Sequence, residues 1–150
     1  AEGRLVLADA LGYAARLNPR AVVDVATLTG GCVVALGTVA AGLMGTDQAL
    51  VDGLRRAGDS SGELVWPLPL HAQYAEQIKS DVADLKNSGG RQASTITAAK
   101  FLERFAEGYP WAHVDMAGMA WAEETKGYRI RGATGYGVRL LVSWLRDQAR

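Results

Sequence analysis

The sequence predicts an α/β fold, with a mostly parallel sheet covered by helices on both faces. Three observations lead there. Short β-branched runs alternate with longer alanine- and leucine-rich segments along the 150 residues. The first such run, Ala21 to Ala26, has the pattern of a strand covered on both faces. Proline and glycine stand between the segments, where a chain that changes direction needs them.

Leu5 to Leu17 carries apolar residues at Leu7, Leu11, Ala14 and Ala15 and ends at Asn18-Pro19, which is a helix with its stop signal. After the strand at Ala21–Ala26, the apolar, glycine-punctuated stretch from Val33 to Gly45 predicts a helical turn and then a buried strand around Ala41 to Met44. Asp47 to Ala57 opens on a carboxylate, spaces Leu50 and Leu54 four apart and carries Arg55-Arg56 near its end, as a helix dipole prefers. Gly58 to Gly62 reads as a polar connection, Leu64 to Pro69 as extended, and His71 to Lys79 as a short helix. Asp81 to Arg91 loses apolar periodicity and is expected to be an irregular loop. A helix through Ala98, Phe101, Leu102 and Phe105 is expected to take its cap from Ser94 or Thr95. Trp111 to Met116 predicts another strand. Gly135 to Gln148 predicts a closing helix with Val138, Leu141, Val142 and Leu145 on one side.

Sixteen basic and sixteen acidic residues cancel. No net field then favours nucleic acid or an anionic membrane as a partner. A chain of this length is expected to form one domain that buries roughly 68–70% of its unfolded surface. No apolar run reaches the ~18 residues of a spanning helix. The single cysteine, Cys32, sits in an apolar stretch and reads as a buried, unreactive thiol, which fits a reducing, cytoplasmic location.

Five blocks carry a family resemblance. They are Ala1-Glu2-Gly3-Arg4-Leu5, Asp24 to Gly31, Ser80 to Arg91, Trp111 to Gly118 and Gly132 to Arg139. In that order they resemble the leucyl aminopeptidases, two-metal exopeptidases whose signature Asn-Thr-Asp-Ala-Glu-Gly-Arg-Leu ends as this chain begins. The resemblance covers essentially the whole chain. It implies that residues 1–150 are the carboxyl-terminal part of a metalloaminopeptidase catalytic domain, an incomplete portion of that fold. It also implies that an upstream segment carries the remaining metal ligands, a lysine and three aspartates, and a second catalytic lysine.

Hydrolysis of a peptide bond needs an activated water and a stabilised oxyanion, and two divalent ions ~3.5–4 Å apart supply both. The resemblance makes Glu2 the bridging metal ligand and Arg4 the catalytic arginine that holds a bicarbonate. A guanidinium suits that anion because its planar fork pairs two oxygens at once. Zinc, manganese or magnesium are the implied ions.

Thr27-Leu28-Thr29-Gly30 follows a predicted strand, where ligands of α/β proteins commonly lie. From spacing alone it is equally an ordinary strand-to-helix turn capped by threonine. The resemblance assigns Thr27, Gly30, Ala117 and Ala120 to the pocket for the substrate's first side chain, Leu28 to a backbone carbonyl near the scissile group, and Ala1 and Ser88 to the wall facing the second residue. His71 and His113 have no partner at metal-ligand spacing and are set aside as ligands. Serine chemistry and dinucleotide binding lack their motifs.

The implied reaction releases amino-terminal residues, preferably leucine, from peptides, in a homohexamer. The 150-residue chain is expected to be inactive without the upstream segment. A different class of function would be a non-catalytic assembly or regulatory-binding module that retains the fold.

Overall fold

In a computed structural model, described over residues 1–149, helix α1 spans Gly3–Ala14 and tightens into a 3-10 turn over Ala15–Leu17. It stops where expected. Asn18 takes a left-handed conformation at φ 52°, which asparagine tolerates better than most residues, and Pro19 follows. The remaining elements are β1 (Val22–Ala26), α2 (Gly30–Leu36), β2 (Ala41–Gly45), α3 (Gln48–Ser61), β3 (Val65–Pro67), a 3-10 helix over Ala72–Ile78, α4 (Ser94–Glu103), β4 (Trp111–Asp115), β5 (Trp121–Ala122), β6 (Gly132–Ala133) and α5 (Val138–Gln148).

Four strands form one sheet in the order β1-β4-β2-β3. The β1–β4 and β2–β3 pairs are parallel and β2–β4 is antiparallel, so the sheet is mostly parallel. Because successive side chains on a strand point to opposite faces, each face builds its own core. Leu43, Ala112 and Val114 pack with Leu50, Leu54 and Leu140, from α3 and α5, on one side. Met44 and Trp111 pack with Leu11, Phe101 and Leu102, from α1 and α4, on the other. Helices therefore cover both faces, as the sequence predicts. Strands β5 and β6 make a separate antiparallel pair.

Several boundaries and faces differ from expectation. Every residue of β4 and the first four of β2 are buried, while β1, at one end of the strand order among the described residues, is half-buried. A β-branched run shows that a strand is apolar but not where it stands in the sheet. Helix α3 continues through the expected polar connection to Ser61 and stops at Gly62, whose φ of 74° suits glycine. Ser94 and Thr95 do not cap α4. The cap position is Ala93, at φ 51°, and no side chain caps it. Phe105 lies beyond the end of α4 at Glu103 and packs its ring 5.1 Å from that of Phe101. In α5 the buried residue is Leu140, while Val138, Val142 and Leu145 are exposed. No helix among the described residues is long and apolar enough to cross a membrane.

Candidate functional site

Helix α1 leads back into β1 through one turn, so its amino-terminal end lies toward the edge of the sheet where β1 and its parallel partner β4 finish. That is the edge at which α/β proteins gather functional loops. Arg4 is buried there. Its Nη1 donates to the Asn87 carbonyl at 2.7 Å, and its guanidinium lies 6.0 Å from the centre of the Phe101 ring. Its Nε is buried with no hydrogen-bond partner among the described residues. Burial pulls its pKa below the usual guanidinium value. Asn87 in turn donates its side-chain amide to the Ala1 carbonyl at 3.2 Å, so the irregular loop at 81–91 is tied to the start of the chain. Glu2 projects into solvent with 95% of its side chain exposed. Its carboxyl is held below the usual range, first by its own backbone N–H.

The second cluster centres on Asp115, at the end of β4 and fully buried. One carboxylate oxygen accepts from the backbone N–H of Leu28 at 3.1 Å and of Ala117 at 3.2 Å. The other accepts the Thr29 hydroxyl at 2.6 Å. Thr29 Oγ1 also receives the Cys32 N–H at 3.1 Å, capping α2, and lies 2.9 Å from the Thr95 hydroxyl on α4. Cys32 is buried as expected, and burial, followed by the Asp115 charge, pushes its thiol up to about 11.

Helix α4 links the two clusters. Thr95 meets Thr29 and Phe101 meets Arg4, six residues apart, which is roughly 9 Å along an α-helix.

The sequence-selected residues thus fall into two groups with one outlier. Ala1, Glu2 and Arg4 stand together with Asn87, the neighbour of Ser88. Leu28 and Ala117 are joined through Asp115, flanked in the chain by Thr27 and Ala120, both at the same edge of the sheet. Gly30 borders open space. A Cβ there would meet nothing within 4 Å, and Gly30 lines a cleft of about 680 Å³ with Val34, Leu68, Arg91 and Ile96. Ser88 is exposed and accepts the Gly90 N–H at 3.4 Å. Asp115 and Asn87 were not selected from the sequence, whereas Thr29 caps α2 as the reading of a threonine-capped strand-to-helix turn expects, and Thr95 was considered only as a cap of α4. The available signal for Asp115 was a carboxylate closing an otherwise apolar strand, since a buried acid requires donors.

As a metal centre the described residues do not suffice. Glu2 offers one exposed carboxylate, and among the described residues no three His, Cys, Asp or Glu side chains converge. As an anion site the fit is better, because Arg4 Nε, without a partner among the described residues, is a charged donor with hydrogen-bonding capacity to spare.

Fold and site together define an α/β protein whose functional loops meet at the finishing edge of a parallel strand pair. The model of the cytosol aminopeptidase family's catalytic domain matches residues 1–142. A probable cytosol aminopeptidase of Geobacter sulfurreducens is 59% identical over 150 residues, 100% of this chain and 30% of that protein. One from Chlorobaculum parvum is 59% identical over 149 residues, 98% of this chain and 29% of that protein. A mutant tomato leucine aminopeptidase superposes with a TM-score of 0.92 at 42% identity, covering 98% of this chain and 28% of that one. The chain belongs to the cytosol aminopeptidase family. It spans about 30% of the length of its curated relatives.

Proposed function

We propose that this chain is the carboxyl-terminal part of the catalytic domain of a two-metal aminopeptidase that releases amino-terminal residues, preferably leucine, from peptides. The observation that carries the reading is the buried Arg4 guanidinium, its Nε without a hydrogen-bond partner among the described residues, two residues from the exposed carboxylate of Glu2. In the proposal Glu2 is a bridging metal ligand and the other ligands come from a segment outside these residues. A pair of zinc, manganese or magnesium ions would supply the activated water and a Lewis acid. Arg4 would hold a bicarbonate, which would supply a proton shuttle to the site. Thr27, Gly30, Ala117 and Ala120 receive the first side chain, Leu28 turns its carbonyl toward the scissile group, and Ala1 and Ser88 face the second residue. The reading extends to a cytoplasmic homohexamer.

The test compares the 150-residue chain with the complete enzyme for metal content and leucine-amide hydrolysis. Two ions and turnover are expected only in the complete enzyme. Glu2→Ala is expected to remove metal from it. Arg4→Ala is expected to keep metal and lower kcat by about 10²–10³, the usual effect of removing a charge-stabilising donor. Full activity in both variants overturns the site, and metal-dependent turnover by the chain alone overturns its dependence on the upstream segment.

A further inference from the structure

Asp115 is a buried carboxylate that the proposed chemistry does not use. Among the described residues its hydrogen-bond partners are all uncharged: the Leu28 and Ala117 amides and the Thr29 hydroxyl. An apolar residue would fill the end of β4 without the desolvation cost of a charge. The carboxylate therefore does something that packing does not. One of its oxygens holds the amide of Leu28, in the loop after β1, and the amide of Ala117, in the loop after β4, to a common point. Its other oxygen fixes Thr29, and through Thr29 the amino-terminal ends of α2 and α4.

We infer that Asp115 is a positioning residue that sets the separation of the Thr27–Gly30 and Ala117–Ala120 segments, and with it how closely the enzyme fits the first side chain of its substrate. This rests on the aminopeptidase reading above. The geometry makes Asp115 the shared anchor of both walls, so its loss lets them move independently while Glu2 and Arg4, held from α1 and the loop at 81–91, keep their arrangement.

The test is the ratio of kcat/KM for leucine amide to that for alanine amide in the complete, metal-loaded enzyme. Asp115→Ala is expected to lower the ratio by about tenfold, the discrimination that a hydrophobic pocket gives up when it loses its fit to a methylene. Its Leu28 and Ala117 amides exchange hydrogen faster than in the unsubstituted protein. Asp115→Asn is expected to restore both. Its oxygen accepts from the same two amides, and its NH₂ donates to Thr29 Oγ1, which turns its own proton toward Thr95. Thr29→Val, which keeps the side-chain volume, shifts the ratio in the same direction as Asp115→Ala and serves if the latter does not fold. Asp47→Ala, which uncaps α3 at the end of the sheet opposite Asp115, is the control for lost stability and leaves the ratio unchanged.

An unchanged ratio in folded Asp115→Ala or Thr29→Val enzyme, or failure of Asp115→Asn to restore it, overturns the assignment. Absence of leucine-amide turnover by the unsubstituted complete enzyme overturns the aminopeptidase reading instead.

Discussion

The Asp24 carboxylate and the His113 imidazole meet at 2.5 Å across the parallel pair β1 and β4, where the two residues are register partners. The other Asp24 oxygen takes the Trp111 indole N–H at 2.7 Å. His113 is fully buried and Asp24 nearly so. Two donors two residues apart on the fully buried strand thus converge on one carboxylate of its neighbour. Side chains as well as the backbone ladder tie β1 to β4. Asp24→Ala strands both donors, and leaving a buried donor unsatisfied costs about 1–3 kcal/mol for each. Asp24→Asn keeps one acceptor oxygen and is expected to lose less. Urea denaturation of the two variants checks the order, and equal stability of Asp24→Ala and the unsubstituted protein would refute the tie.

Cys32 supplies a pH dependence whose sign is fixed. Its thiol rises from an ordinary value of 9.0 to about 11 in the fold, by burial first and then by the Asp115 charge. The folded state holds the neutral form more tightly than the unfolded chain does. The contribution to stability is therefore complete below pH 9 and is lost as pH rises through 11. Tyr136, also raised by burial and by Glu63, acts in the same direction at higher pH. Cys32→Ala is expected to flatten the decline between these two pH values in a series of thermal melts. Alkylation of native Cys32 by iodoacetamide is expected to be slow at pH 8 relative to that of the unfolded protein, because the thiolate is the reactive form.

Glu63 caps α5 from outside the helix. One of its oxygens accepts the Gly137 and Leu140 N–H groups at 3.0 and 2.8 Å, and the other accepts Arg139 Nε at 3.2 Å. Glu63 is buried and Arg139 is exposed, so the two halves of this arrangement are not worth the same. Glu63→Ala leaves buried helix donors unsatisfied and is expected to cost about 1–3 kcal/mol. Arg139→Ala removes a solvent-screened partner and is expected to cost no more than about 1 kcal/mol. Denaturant midpoints for the two variants decide this, and a larger loss for Arg139→Ala would contradict it.

Local signals in the sequence revealed most of the elements but few of the ties among them. Asn18-Pro19 marked the end of the first helix because both residues act on their own backbone. Glu2, Arg4 and Leu28 were selected through family blocks that are contiguous in the chain. The partners that hold them were not, since Leu28 meets Asp115 across 87 positions and Arg4 meets Asn87 across 83. Residue type shows that Asp115 needs donors, and only the fold shows which ones. The cap of α4 failed for a related reason. Ala93 adopts a left-handed conformation that nothing in its side chain favours, so the helix starts one residue before any cap read from Ser94 or Thr95.

Two glycines of the candidate site are expected to respond in opposite ways to the addition of one methyl group. At Gly118 a Cβ would lie 2.0 Å from the Gly37 carbonyl oxygen, so the backbone itself must move. Gly118→Ala is expected to cost about 1–3 kcal/mol, as overpacking does, and to displace the Ala117–Ala120 turn. At Gly30 the same atom meets nothing within 4 Å, and alanine is the better helix former at the start of α2. Gly30→Ala is therefore expected to be at least as stable as the unsubstituted protein. If Gly30 lines the pocket proposed for the first side chain, Gly30→Ala also lowers kcat/KM for leucine amide more than for alanine amide in the complete enzyme, because the added methyl occupies room that only the larger side chain uses. Thermal melts of both variants with paired assays on the two amides separate the effects. A stable Gly30→Ala enzyme that loses equally on both substrates would remove Gly30 from the specificity pocket while leaving its structural description intact.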